Sequence, residues 1–230
     1  MEPSTTSHAI ANGRGNPMLH EQYRPKSWNE VVGQTKCVER IEAIRARGLA
    51  GKAYWIAGQS GTGKTTIARL LAAEIADEWS IDELDASDAT VSRLKDLEQS
   101  LQLRGLGSKA GRVVIINEAH GLRKDAIRQL LVLLERIPRH VAWIFTTTNE
   151  GEDMLFEDCD DSSPLLSRCI PLRLARRDLA KVFAERAKWI AETEGLGGNR
   201  PLAQYERLAK DCKNNLRAMI SAIEGGQFVE

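Results

Sequence analysis

The sequence has no surplus of either charge: 32 Lys and Arg residues offset 32 Asp and Glu residues, for a formal net charge of zero. No whole-molecule field draws the chain toward nucleic acid or acidic lipid, so any such contact must come from a local patch. Paired cysteines are missing too. Cys37, Cys159, Cys169 and Cys212 lie far apart without a CxxC pair, which fits neither a zinc site nor a disulfide framework and reads as reduced thiols. No apolar run approaches the roughly 18 residues of a membrane span, and the N-terminus lacks the charged-then-apolar order of a secretory signal. The expectation is a cytoplasmic protein without membrane contact. Internal repeats are absent. Residues 1–20, rich in Ser, Thr, Asn, Gly and Pro, show no apolar periodicity and read as a flexible tail that cannot repay the entropy of ordering.

What is present is a chain of 230 residues, 42% hydrophobic, enough for a real core. From Ala50 to Leu174 short apolar runs alternate with segments of helical spacing, the pattern of a parallel sheet flanked by helices. Strands are predicted near Ala53–Ala57, Ile81–Leu84, Val113–Ile116, Val141–Thr146 and Ile170–Leu174. Helices are predicted at Lys64–Glu78, about Thr90–Leu103 and Lys124–Arg136, the last stopped by Pro138. After Leu174 the strands cease. Residues 178–194 have amphipathic spacing, with Asp178 as N-cap and Gly195 as stop, and helical stretches follow at 201–211 and 215–224. The expected division is a tail at 1–20, an α/β domain at 21–175 and an all-helical domain at 176–230.

Gly58, Gln59, Ser60, Gly61, Thr62, Gly63, Lys64 and Thr65 satisfy GxxxxGK[ST], directly after one apolar run and directly before a helix, where a phosphate-binding loop must stand. Its glycines let backbone N–H groups wrap phosphates, the helix N-terminus adds its positive dipole end, Lys64 reaches the terminal phosphates and Thr65 offers a hydroxyl to Mg²⁺. Downstream, RVVIINEAH from Arg112 to His120 delivers Asn117 and Glu118 to the sheet edge where ligands of open α/β folds collect. Glu118 suits orientation or deprotonation of an attacking water. Asn117 occupies the place of the Asp that helps hold Mg²⁺ in P-loop ATPases. Its amide oxygen can accept a hydrogen bond from a metal-bound water but brings no charge, so weaker metal binding and slower turnover are expected. Thr146, Thr147, Thr148 and Asn149 end the fourth strand, where a hydroxyl or amide can lie between the two motifs; a plain turn is the competing reading. Arg168 precedes the fifth strand, where an arginine can reach a neighbouring subunit's nucleotide, and Arg217 on the last helix can reach back from the C-terminal domain; a lone arginine at either place is by itself more often a surface ion-pair partner.

Taken in order, YRPKSWNEVVGQ (Tyr23–Gln34), GQSGTGKTT (Gly58–Thr66), ELDASD (Glu83–Asp88), INEAH with the trailing LLVLLERIPRHVAWIFTTT, SRC (Ser167–Cys169) and NNLR ending at Arg217 resemble the AAA+ clamp loaders: replication factor C small subunits and bacterial gamma and tau type subunits. The resemblance covers about residues 21–226. It implies a P-loop AAA+ core with a five-stranded parallel sheet and a helical lid. Arg24, Pro25, Val31 and Val32 would contact the purine, Arg168 would act in trans as an arginine finger, Arg217 would be the lid sensor, and Thr148 or Asn149 the sensor on the fourth strand. Thr66 extends the phosphate loop.

Departures from the family pattern are Asn117 and the acidic stretch EGEDMLFEDCDDSS at 150–163. The helical collar of clamp loaders has no counterpart up to Glu230, implying either a truncated chain or a short relative assembling through its ATPase faces. Arg93, Lys95, Arg104, Lys109, Arg112, Arg123, Lys124 and Arg128 form a local basic excess in the stretch that faces DNA in that family, although Asp96, Glu98 and Asp125 are interspersed and charge alone fits a plain solvated face nearly as well. The expected function is an Mg²⁺-dependent ATPase subunit, homo- or hetero-oligomeric, coupling ATP binding and hydrolysis to assembly and to DNA and sliding-clamp binding. The alternatives are a subunit that hydrolyses weakly and an AAA+ remodeller in phage or mobile-element DNA metabolism.

Overall fold

The computed structural model describes residues 18–148, 162–175, 177–197 and 199–228. Five parallel strands form one sheet in the order β2-β3-β4-β1-β5: β1 Lys52–Ala57, β2 Ile81–Asp85, β3 Arg112–Asn117, β4 Val141–Thr147 and β5 Ile170–Arg173. Each matches an expected strand to within a residue at either end. The helices are α1 Leu19–Gln22, α2 Thr35–Arg45, α3 Lys64–Ile75, α4 Val91–Leu101, α5 Lys124–Glu135, α6 Ser162–Ser167, α7 Ala180–Thr193, α8 Leu202–Asp211 and α9 Leu216–Glu224. None of the described helices is long and apolar enough to cross a membrane.

Strand β4 is buried along its whole length and β1 nearly so, which explains why they read as apolar runs rather than alternating ones: a parallel sheet is covered on both faces. On one face Trp55, Val114, Ile116, Trp143 and Phe145 pack against Leu94 and Leu97 of α4 and Ile127 and Leu130 of α5. On the other, Tyr54, Ile56, Val113, Ile115 and Ile144 pack against Ile41 of α2 and Ile67 and Leu71 of α3. Helices α7, α8 and α9 have a core of their own around Phe183, Ala187, Tyr205, Leu208 and Met219.

Several local expectations fail for physical reasons. Helix α3 stops at Ile75, not Glu78, because Ala76 turns extended (φ −136°, ψ 154°) and pairs with Ala110. Asp178 is not an N-cap: its φ is +60°, and α7 begins after Leu179 without a side-chain cap. Gly195 does follow the helix end with φ +69°, the left-handed stop expected of it. Helix α2 has no clear signature in the sequence because only Cys37 and Ile41 of its residues are buried, too few to set a period. Composition places Leu19 and His20 in the tail, yet they belong to α1. Leu19 is buried, packs with Ile190 and Ile220, and its N–H donates to the Glu224 carboxylate at 3.2 Å.

The start of β3 is tied to the end of α3 at Gly111, where an added Cβ would stand 2.1 Å from the carbonyl oxygen of Ile75. Gly111→Ala is therefore expected to lower unfolding free energy by about 1–3 kcal/mol, read as a lower urea midpoint with an unchanged slope.

Candidate functional site

All five strands run the same way, so Ala57, Asp85, Asn117, Thr147 and Arg173 end at one edge of the sheet, where ligands of open α/β folds collect. The glycine loop leaves β1 there and enters α3. Gly61 and Gly63 have φ of +74° and +100°, values that a side chain disfavours. They turn the loop so that the N–H groups opening α3 face outward together. Within the loop the Thr62 hydroxyl donates to the Gln59 carbonyl at 2.7 Å, and Lys64 Nζ reaches the same oxygen at 3.2 Å.

A cleft open to solvent lies over this loop. Its walls come from three parts of the chain: His20 to Val32 of the N-terminal segment, Ser60 to Thr66 with Glu118, and Phe183, Arg186, Ile190, Leu216, Arg217 and Ile220 of the C-terminal helices. The structure thus brings together Arg24, Pro25, Val31, Val32, Ser60, Gly61, Thr62, Gly63, Lys64, Thr65, Thr66, Glu118 and Arg217. Arg24 is drawn onto the loop helix, its Nη1 donating to Thr66 Oγ1 at 3.1 Å. The C-terminal helices come close enough for Asn215 Oδ1 to lie 1.8 Å from where a Gly61 Cβ would stand. The same oxygen caps α9 by accepting the Ala218 N–H at 3.0 Å.

Glu118 stands just beyond β3 with φ +50° and ψ +47°, a left-handed conformation costing a non-glycine residue on the order of 1–2 kcal/mol. The turn aims its carboxylate away from the strand and into the cleft wall. Its Oε2 lies 3.5 Å from His120 Nδ1, and that nitrogen is also 3.2 Å from Thr147 Oγ1, so one imidazole bridges Glu118 and the end of β4.

Other expected site residues stand elsewhere. Gly58, Gln59, Asn117, Thr148 and Arg168 are not on the cleft wall, and Asn149 lies outside the described residues. Gly58 and Gln59 form the base of the loop. The Asn117 amide is engaged by Glu83 and Thr146. Arg168 follows α6 on the surface, its Nη2 donating to Glu135 Oε1 at 2.7 Å and its Nη1 to the Pro164 carbonyl at 2.9 Å. Of the basic residues, Arg93 and Arg112 both pair with Asp82 at 3.4 Å, and Lys109 bonds the Ala73 carbonyl. Those three serve the fold in part. Among the described cysteines, burial pushes Cys37 up to about 11 and Cys169 up to about 12, so both remain thiols at neutral pH.

Sequence reading missed two contributors. Buried Gln34 joins the phosphate loop to the end of the sheet: Nε2 donates to the Thr62 carbonyl at 3.4 Å, and Oε1 accepts the Ala175 N–H at 2.6 Å. Arg186 lines the cleft, donates to the Tyr23 carbonyl at 3.3 Å and stacks 4.5 Å from the Trp189 ring centre. Neither has a local signal, since each acts across more than 100 residues of chain.

Residues 54–168 match the ATPase family associated with various cellular activities (AAA). The chain is similar to the replication factor C small subunit of Thermofilum pendens, 28% identical over 218 residues, which are 91% of this chain and 62% of the relative. It is also similar to the DNA polymerase III subunit gamma of Buchnera aphidicola, 29% identical over 189 residues, 73% of this chain and 49% of the relative. The chain therefore spans about half to two thirds of the curated relatives it matches. Among solved structures, the Thermotoga maritima RuvB Holliday junction branch migration motor is similar with a TM-score of 0.67 and 27% identity, over 88% of this chain and 64% of that one.

Gly61→Ala meets both a left-handed backbone and the Asn215 side chain, so it must push the C-terminal helices off the phosphate loop. Affinity for adenosine triphosphate, measured by fluorescent-analogue competition, is expected to fall by about tenfold or more, or roughly 1.4 kcal/mol. Unchanged affinity would mean that this contact does not shape the site.

Proposed function

The chain belongs to the ATPase family associated with various cellular activities (AAA), and from that premise we propose that it binds Mg-ATP in the cleft between phosphate loop and C-terminal helices, and couples ATP binding and hydrolysis to oligomer assembly and to DNA and sliding-clamp binding. The observation that supports this reading is one cleft walled by the N-terminal segment, the phosphate loop, Glu118 and Arg217 together. No one of these segments makes a nucleotide site alone.

In this reading the N–H groups of the loop and the start of α3 hold the phosphates, with the helix dipole adding to them. Lys64 exchanges the Gln59 carbonyl for a phosphate oxygen. Arg24, Pro25, Val31 and Val32 take the purine end. Residues 176–230 act as a lid, with Arg217 reaching the phosphates from it. Thr65 and Glu118 border the same cleft, and their hard oxygen donors fit Mg²⁺; Thr65 would hold the ion, with Glu118 nearby. Bound there, the ion neutralises charge on the phosphate oxygens. Glu118 accepts a proton from the attacking water, or orients it. The water's oxygen forms the new bond to the γ-phosphorus while the bond to the β–γ bridging oxygen breaks, releasing ADP and phosphate.

Arg168 stands away from its own cleft, as an arginine acting on a neighbouring subunit must. To do so it has to leave Glu135 and the Pro164 carbonyl, so docking of a neighbour and release of this surface pair are coupled. DNA and clamp binding rest on the likeness to replication factor C and polymerase III gamma subunits. A second reading, a subunit that holds nucleotide but turns it over slowly, is favoured by the uncharged Asn117.

Lys64→Ala is expected to lower ATP affinity by about a hundredfold or more, the loss of a charged contact within a phosphate cradle. Glu118→Gln should keep affinity and lower turnover by about 10²–10⁴-fold. Arg168→Ala should likewise spare binding but remove about 10³-fold or more of turnover in the assembled protein. Calorimetry and phosphate release, with and without primed DNA, separate these outcomes. Turnover surviving Arg168→Ala would refute the trans role, and slow turnover in the assembled wild-type protein would favour the second reading.

A further inference from the structure

Asn117 stands at the end of β3, where the family pattern has an acidic residue, and both ends of its half-buried side chain are bonded to protein groups. Its Nδ2 donates to Glu83 Oε1 at 2.7 Å, and its Oδ1 accepts from Thr146 Oγ1 at 3.0 Å. Glu83 in turn accepts from Arg69 twice, Nε to Oε2 at 2.8 Å and Nη2 to Oε1 at 3.2 Å. These bonds form one continuous chain, Arg69–Glu83–Asn117–Thr146. It runs from the phosphate-binding helix α3 across the ends of β2, β3 and β4. By strand alternation, Glu83, Asn117 and Thr146 share the sheet face of Val113, Ile115 and Ile144, the face that α3 covers.

Only an amide can serve both neighbours, since it offers an N–H to the carboxylate and a carbonyl oxygen to the hydroxyl. An aspartate at 117 could still accept from Thr146, but it would set a second carboxylate against Glu83 at hydrogen-bond distance. Two like charges so close cannot both remain ionised without cost. The amide at 117 and the carboxylate at 83 are therefore complementary, and neither is explained alone.

We propose that Asn117 is a positioning residue rather than a metal-ligating one: its amide fastens the ends of β2 and β4 to β3, and through Glu83 and Arg69 it holds the phosphate-binding helix. This rests on the nucleotide-site reading above.

The test is an exchange of amide and carboxylate. Asn117→Asp alone brings two carboxylates together and is expected to lower the melting temperature by about 3–8 °C. Adding Glu83→Gln restores the bond between 83 and 117 with its donor reversed: the amide now on β2 donates to the carboxylate now on β3, which still accepts from Thr146, while the amide's carbonyl oxygen keeps one of the two bonds from Arg69. The double variant should melt within about 2 °C of the wild type. Residue 117 stays off the cleft wall in both variants, turned toward residues 83 and 146. Because the chain of bonds ends on the phosphate-binding helix, Asn117→Asp alone should weaken ATP binding by about three- to tenfold alike in Mg²⁺ and in EDTA, and the double variant should restore it, a readout that a purely structural pair would not move. The proposal is overturned if Asn117→Asp is as stable as the wild type and binds Mg-ATP more tightly, for Asn117 would then be a weakened metal ligand. It is equally overturned if the second substitution recovers no stability, or if Asn117→Asp changes ATP affinity only when Mg²⁺ is present. A wild-type protein that takes up no ATP would sink the nucleotide reading instead, while the melting temperatures still decide whether residues 83 and 117 act as a pair.

Discussion

The C-terminal helices reach the phosphate loop through a gap left by a missing side chain. Asn215 Oδ1 occupies the space in which a Gly61 Cβ would stand, and the same oxygen caps the helix that carries Arg217. One short polar residue therefore sets how closely the helical region approaches the loop and where its arginine enters the cleft. The geometry of the site follows from that approach, because the cleft has no complete wall until loop, N-terminal segment and C-terminal helices are together. Buried Gln34 adds a second tie, from the loop to the chain leaving β5. Together these contacts make the loop a junction on which several parts of the chain converge.

Around this junction the polar groups divide their roles. The Glu118 carboxylate is left largely in the open while its backbone is held in a left-handed turn, an arrangement that leaves the group accessible where a reacting water would stand. Its neighbour Asn117 is engaged at both ends of its amide in strand-end hydrogen bonds. Adjacent residues in one motif thus face different ways, one onto the cleft wall and one into bonds between strand ends. The Arg168–Glu135 pair shows a similar division at the surface. An exposed ion pair of this kind contributes little to stability, roughly 0–1 kcal/mol, so releasing it costs little.

The strands, the loop and most helices could be read from the chain because they depend on neighbours in sequence. The apolar runs around Trp55, Ile115 and Phe145 are continuous since both sheet faces are covered, and the glycine spacing of residues 58–63 meets local backbone demands. Helix α2 was illegible because it buries only two side chains. Asp178 misleads because a good capping residue need not adopt a capping conformation, and its φ is positive. Helix α1 was hidden for a related reason: nothing near Leu19 shows that Ile190 and Ile220 wait to cover it.

By itself, then, the sequence determined the class of fold, the position of the phosphate loop, and the presence of a carboxylate and an amide at the end of the third strand. Backbone conformation, hydrophobic period and helix termination are short-range properties, and residue order encodes them directly. Only the tertiary structure decided that Arg186 and Gln34 belong to the site, that Arg168 is held by Glu135, and that Asn117 faces Glu83 instead of the cleft. Each of these is a contact between segments distant along the chain. The packing of sheet against helices brings them together, and no local pattern records which partner a long polar side chain will find.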